Sequence, residues 1–233
     1  MTVVDTEVQT VDLATTPLRE LNQRLHDAAA GGPRRWRILN PGGAHAIAAG
    51  IDAPLDVEID GHVGYYCAGM NQEATVRIHG NAGVGVAENM MSGAVIVAGD
   101  ASQAAGATGR GGLLVVRGNA SARCGISMKG VDIVVAGSVG HMSAFMAQKG
   151  SLVVCGDAGD ALGDSIYETH VYVRGEVAGL GADCVAKEMA DHHRAELAGL
   201  LARAEFQFDP GEFRRYGSAR RLYNFDIDNA GAY

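Results

Sequence analysis

The stretch Ala94-Val95-Ile96-Val97-Ala98-Gly99-Asp100-Ala101-Ser102 returns nineteen residues later as Leu113-Leu114-Val115-Val116-Arg117-Gly118-Asn119-Ala120-Ser121. It returns again as Asp132-Ile133-Val134-Val135-Ala136-Gly137-Ser138-Val139-Gly140. Working outward, glycines fall at Gly42, Gly61, Gly80, Gly99, Gly118, Gly137, Gly156 and Gly175, each 19 residues from the last. A fixed period of this length is the signature of a stacked repeat, in which no unit can bury its apolar face alone.

The residues around each glycine say what the unit is. Two and four places before it stand Val57/Ile59, Val76/Ile78, Val95/Val97, Leu114/Val116, Ile133/Val135, Leu152/Val154 and Val171/Val173. Alternating β-branched residues predict a strand with one buried face. The glycine ends the strand, and Asn81, Asp100, Asn119, Ser138 or Asp157 follows as a turn residue. A small apolar residue comes next (Val63, Ala82, Ala101, Ala120, Val139, Ala158, Val177), suited to a narrow corner. The expectation is an all-β solenoid, a right-handed parallel β-helix of about seven 19-residue coils, the hand following from parallel crossovers. At roughly 4.8 Å per coil the prism is about 34 Å long. Leucine-rich repeats, calcium-binding nonapeptide coils and hexapeptide left-handed helices each need a consensus that is missing.

The ends need covers, because a solenoid has open edges. Residues 16–26 predict a helix with Thr16 as N-cap, Pro17 in the first turn and Gly31-Gly32 as stop, Leu18, Leu21, Leu25 and Ala28 forming its apolar face. A C-terminal helix is expected over about residues 185–204, with Met189, Leu197, Leu200 and Leu201 as contacts. The organisation is therefore an arm and helix over 1–36, the β-helix over 37–182, the second helix over 183–205 and a tail over 206–233. That tail, with Phe206, Phe208, Phe213, Arg215, Tyr216, Tyr223 and Phe225, is either a strap along the helix or a segment that docks on a partner.

Composition limits the chemistry. A net charge of -8 with 20% charged residues gives no reason to expect nucleic acid or an anionic membrane as partner. No apolar run reaches membrane-spanning length, and the first residues lack the pattern of a secretory signal, so the cytoplasm is expected. Glycine, at 33 of 233 residues, is about twice its average usage. With 47% hydrophobic residues, this argues for many tight turns rather than disorder. Cys67, Cys124, Cys155 and Cys184 have no metal-site spacing and read as buried thiols. Cys67 and Cys124 share a column, but three coils and about 14 Å apart, beyond disulfide reach.

Catalytic and metal sites are expected to be absent. His45, His62, His79, His141 and His170 occupy different columns on neighbouring coils, and His192-His193 reads as a solvated pair on the second helix. Gly80-Asn81-Ala82-Gly83-Val84-Gly85 belongs to the repeat and lacks the strand–turn–helix context of a phosphate loop. Position 2 is Thr2, where an amidotransferase nucleophile would be cysteine. Six methionines (Met70, Met90, Met91, Met128, Met142, Met146), with Phe145 and Tyr65-Tyr66, fall in the same part of their coils. They are either adaptable packing in the wide part of the prism or a flank that binds another subunit.

Three stretches carry a resemblance: Thr16-Pro17-Leu18-Arg19-Glu20-Leu21-Asn22, the coil with Gly80 to Gly85, and Gly140-His141-Met142-Ser143-Ala144-Phe145-Met146-Ala147-Gln148. With the tail from Arg215-Tyr216-Gly217-Ser218-Ala219-Arg220 to Asn224-Phe225-Asp226-Ile227-Asp228-Asn229-Ala230, the chain resembles the GXGXG β-helix domain of the glutamate synthase large subunit. It is most similar to the stand-alone subunit of N-methylglutamate synthase and related glutamate-synthase-like proteins. The β-helix chain of formylmethanofuran dehydrogenase is similar more distantly. The resemblance implies a non-catalytic scaffold in a hetero-oligomer. Its partners would be a glutaminase-like subunit and an FMN-binding synthase subunit, possessing the flavin and any iron–sulfur cluster. Two other readings stand beside it: an autonomous β-helix enzyme, acyltransferase or metal-dependent lyase, and a β-helix chain of the formylmethanofuran-dehydrogenase type.

Overall fold

A computed structural model describes residues 8–221. The strands are β1 (Val8–Asp12), β2 (Arg35–Leu39), β3 (Asp56–Asp60), β4 (Thr75–Ile78), β5 (Ala94–Val97), β6 (Leu113–Val116), β7 (Asp132–Val135), β8 (Ser151–Val154), β9 (His170–Val173), β10 (Cys184–Lys187) and β11 (Arg214–Ser218). Helix α1 spans Leu18–Asp27 and α2 spans Asp191–Arg203. The chain is a parallel β-solenoid of about seven turns with two flanking helices, its strands forming one sheet in the order β1-β2-β3-β4-β5-β6-β7-β8-β9-β11-β10.

From β3 to β9 each strand pairs in parallel with the equivalent residues one coil on, so Val57, Val76, Val95, Leu114, Ile133, Leu152 and Val171 stand over one another. These side chains, and those two residues later, are buried in one continuous core. At the corner the backbone of each coil almost touches the next. A Cβ on Gly118 would lie 2.8 Å from the Gly99 carbonyl oxygen. The space freed by the missing side chains lets the amide of Gly99, Gly118, Gly137, Gly156 and Gly175 each donate to the glycine one coil below, at 2.9–3.0 Å. The next column bonds through side chains. The amides of Asp100, Asn119, Ser138 and Asp157 donate to Asn81 Oδ1, Asp100 Oδ1, Asn119 Oδ1 and Ser138 Oγ at 2.7–2.9 Å.

Gly42 is the exception to the glycine column. The β2–β3 register sets Ile38 against Ile59 and Leu39 against Asp60, so Asn40, not Gly42, lies level with Gly61. The first coil is 21 residues long in this register, and Asn40-Pro41-Gly42-Gly43 fills a wider corner. Equal spacing in sequence therefore concealed two extra residues.

The opposite wall has no regular strand. Positive-φ residues alternate along each coil: Tyr66, Ala68 and Met70, then Gly85, Ala87 and Asn89, up to Met142, Ala144 and Met146. Each left-handed non-glycine residue costs on the order of 1 kcal/mol. Intercoil hydrogen bonds offset that cost. Tyr66 N and Met70 N donate up to Val84 O and Glu88 O, whereas Ala68 N donates down to Ile47 O.

The ends differ from the expected boundaries. The N-terminal arm is part of the sheet, since β1 pairs in parallel with β2. Helix α1 starts at Leu18 with Pro17, not Thr16, at its cap, and it lays Leu21 and Leu25 on the core's end. Asn22 Nδ2 donates to Ala46 O at 2.8 Å, and its Oδ1 accepts from Ala48 N at 3.0 Å. Residues 184–187 are strand rather than helix, and α2 begins only at Asp191. The tail re-enters the sheet: β11 runs antiparallel between β9 and β10. The strands were expected to bury one face, yet β6 and β8 are buried on both. Leu197, Leu200, Leu201 and Phe213 cover their outer face in a second apolar cluster. Phe206 and Phe208 pack at its margin, with the Arg174 guanidinium 4.9 Å from the Phe208 ring.

Candidate interaction surface

The proposed methionine flank divides. Met90 and Met128 are fully buried between the walls and leave the candidate surface. Both stand one position after the column that holds Met70 and Met146, and their side chains turn inward. Met70, Met91 and Met146 are 54%, 43% and 37% exposed, with Tyr65 and Tyr66 about half exposed beside Met70. Met142 and Phe145 are half-buried. Met70 and Met146 share a column, but Asn89, Thr108 and Ser127 separate them, the Thr108 hydroxyl donating to Asn89 Oδ1 at 2.6 Å. The flank is thus two apolar spots with a polar waist.

In the tail, Tyr216 is buried within β11 and is no surface residue. The Arg215 guanidinium donates to Glu188 O at 2.9 Å, tying β11 to the chain before α2. Tyr223 lies outside the described residues.

One cluster of protonatable groups escaped the sequence reading. Glu196 of α2 accepts hydrogen bonds from Ser151 Oγ at 2.6 Å, His170 Nδ1 at 2.9 Å and the Tyr172 hydroxyl at 2.9 Å. Burial alone would raise the Glu196 pKa, but the bonds from His170, Ser151 and Tyr172 outweigh it and hold the value at about 2. The Tyr172 pKa is raised, by burial first and then by Glu196. His193, expected in solvent, is 8% exposed. Its Nδ1 accepts from Ala190 N at 3.2 Å, which places the proton on Nε2. Burial, then the charge of Arg215, depresses its pKa. Ser151 and His170 are 19 residues apart and His193 and Glu196 are three apart on one helix face, a pairing the period alone could have flagged. The cluster is a clamp for α2 rather than a nucleophile and base: the Ser151 hydroxyl is buried and donates to the carboxylate, not to histidine.

The thiols are chemically quiet. All four cysteines are free and buried, and burial pushes each pKa up to about 12. Among the described residues no group of three or more His, Cys, Asp or Glu side chains could hold a metal ion. Past the end of α2 the outer sheet face forms an open groove of about 430 Å³ over Ala94, Ile96 and Leu113. Its rim is closed by ion pairs: Arg117 meets Glu205 at 2.7 Å and Arg203 meets Asp132 at 3.0 Å.

No family model matches the chain. A curated relative, Protein GlxC of Rhizobium meliloti (strain 1021), is 64% identical over 225 residues, which cover 96% of this chain and 99% of that protein. The chain belongs to the GlxC family. This GlxC family chain offers solvent exposed apolar side chains at two levels and a helix clamped to one face. No helix among the described residues is long and apolar enough to cross a membrane.

Proposed function

We propose that this chain is a structural, non-catalytic β-helix subunit of a glutamate-synthase-like heteromeric enzyme, of the N-methylglutamate synthase (methylamine–glutamate N-methyltransferase) type. It holds a glutaminase-like subunit and an FMN-binding synthase subunit in fixed relation. The observation that carries this is where three motifs of the resemblance fall, Thr16–Asn22, Gly80–Gly85 and Gly140–Gln148: all three are elements of the scaffold. Asn22, closing the Thr16–Asn22 motif, fixes α1 across the end of the core. Gly80 to Gly85 passes through the glycine column and into the irregular wall. Gly140 to Gln148 presents Met146 to solvent with Met142 and Phe145 half-buried. The polar cluster that most resembles a reaction centre is spent on holding α2.

The test is purification of the full chain from its native host with a C-terminal affinity tag. Two larger companion chains should co-elute in fixed ratio, one with flavin absorbance, and the assembled material should form N-methylglutamate from methylamine and glutamate. A partner-free, monodisperse product would sink the reading.

A further inference from the structure

The charge of this acidic protein is unevenly placed. Between Ala101 and Gly156 there is one acidic residue, Asp132, against five basic ones, Arg110, Arg117, Arg123, Lys129 and Lys149. Asp132 is engaged by Arg203 on the outer sheet face. Cations on that face are matched in the same way, Arg77 by Asp56 and Arg117 by Glu205. Arg110, Lys129 and Lys149 are different. All three are exposed, and none has a described carboxylate within ion-pair distance.

The fold stacks these three. Arg110 and Lys129 are equivalent residues of successive coils, their amides bonded to Met90 O and Gly109 O at 2.7 Å. Lys129 and Lys149 pair directly as a parallel bridge. Three positive side chains therefore follow one another at about 4.8 Å along the axis. Like charges on directly opposed backbones repel, so the arrangement costs stability unless an anion is shared between them. One coil below Arg110 the same position is Met91, 43% exposed. Beside its foot Glu73 stands one coil below Ser92, and at its other end Glu168, one coil above Lys149, is paired with Arg220 at 2.7 Å.

We infer that the ridge Met91–Arg110–Lys129–Lys149 is a docking surface for a short acidic segment of a companion protein, carboxylates on the three cations and an apolar residue against Met91. Its length, about 10 Å between the outer cations, matches three or four extended residues. A long polyanion would run past Met91 towards Glu73 and meet the field of a chain with net charge -8. The inference rests on the reading of this chain as a scaffold, and it names one face by which the scaffold holds its partner.

The experiment uses the full chain and the variant Arg110→Gln/Lys129→Gln/Lys149→Gln. A fluorescent peptide with four consecutive glutamates and a flanking leucine is titrated by anisotropy, with its glutamine counterpart as control. Wild type should bind the glutamate peptide, and both high salt and the triple variant should weaken binding about tenfold or more at an unchanged melting temperature. Equal binding by the variant overturns the proposal. So does tighter binding of wild type to single-stranded DNA or to phosphatidylserine vesicles than to the peptide. Purifying the variant from the native host separates the two readings: companions that stay bound overturn the ridge and leave the scaffold standing. Loss of companions from the variant alone supports both. If wild type also lacks companions, the scaffold reading fails and the peptide titration still decides the ridge.

Discussion

Glu196 of α2 and Ser151 of β8 are joined by a 2.6 Å hydrogen bond, although 45 residues separate them. With His170 and Tyr172 on the same carboxylate, this contact anchors α2 over β8, whose outer face is covered by the apolar cluster of Leu197, Leu200, Leu201 and Phe213.

Acid should loosen α2. The folded pKa of Glu196, about 2, lies below its ordinary value of 4.5. Its stabilisation is therefore complete above about pH 4.5 and is lost as pH falls towards 2. His193, buried and neutral with its pKa lowered from 6.5, adds a loss that starts as pH drops below that value. Hydrogen exchange, corrected for intrinsic rates, should show α2 amides losing protection before those of β4 and β5. Glu196→Gln should cost about 2 kcal/mol at pH 7 and flatten the loss of stability between pH 4.5 and 3. An unchanged pH profile in that variant would refute the clamp.

Two glycine-to-alanine changes should have opposite signs. At Gly118 a Cβ would sit 2.8 Å from Gly99 O and 2.3 Å from Asp100 Oδ1, so the coils must move apart. A destabilisation of about 2 kcal/mol is expected from this crowding. Gly199 lies in α2 with nothing within 4 Å of its would-be Cβ. Gly199→Ala should gain about 0.8 kcal/mol through helix propensity. Urea midpoints measure both.

Adjacent methionines separate core from surface. Met90→Ala empties a fully buried site and should cost about 2–5 kcal/mol. Met91→Ala removes an exposed side chain and should stay within about 0.5 kcal/mol of wild type. Similar losses in the two melting curves would contradict the alternation of the irregular wall.

The cysteines should resist alkylation. With each thiol buried and its pKa pushed up to about 12, iodoacetamide at pH 8 should leave the native chain unmodified by intact mass. After denaturation four adducts should appear. Rapid labelling of any cysteine in the native protein would show that its burial is incomplete.

The solenoid was legible because its physics repeats. A column such as Val76, Val95 and Leu114 is a statement about one position made several times over. What broke the repeat was harder to read. Gly42 kept the spacing while the first coil gained two residues, because the sequence interval does not report the register of β2 against β3. The second buried face was present in Leu113-Leu114-Val115-Val116, a run without the alternation of Asp56-Val57-Glu58-Ile59, and such runs mark strands covered on both sides. The irregular wall could not be read at all. Tyr66, Met70 and Met142 give no residue-type signal of a left-handed backbone, and only the intercoil hydrogen bonds hold them there. For the candidate surface, hydrophobic type did not separate Met90 from Met91. The clamp spans two distant segments, and nothing local in Glu196 announces Ser151.

The glycine column and its neighbouring side-chain ladder bond each layer only to the one above and the one beneath. Chain length can then be edited in whole layers on the side of the prism that α2 does not cover: removing or duplicating one 19-residue block before β5 should leave α1 and the α2 clamp intact and change their separation by about 4.8 Å. What evolution can tune in such a molecule is a distance, counted in integers.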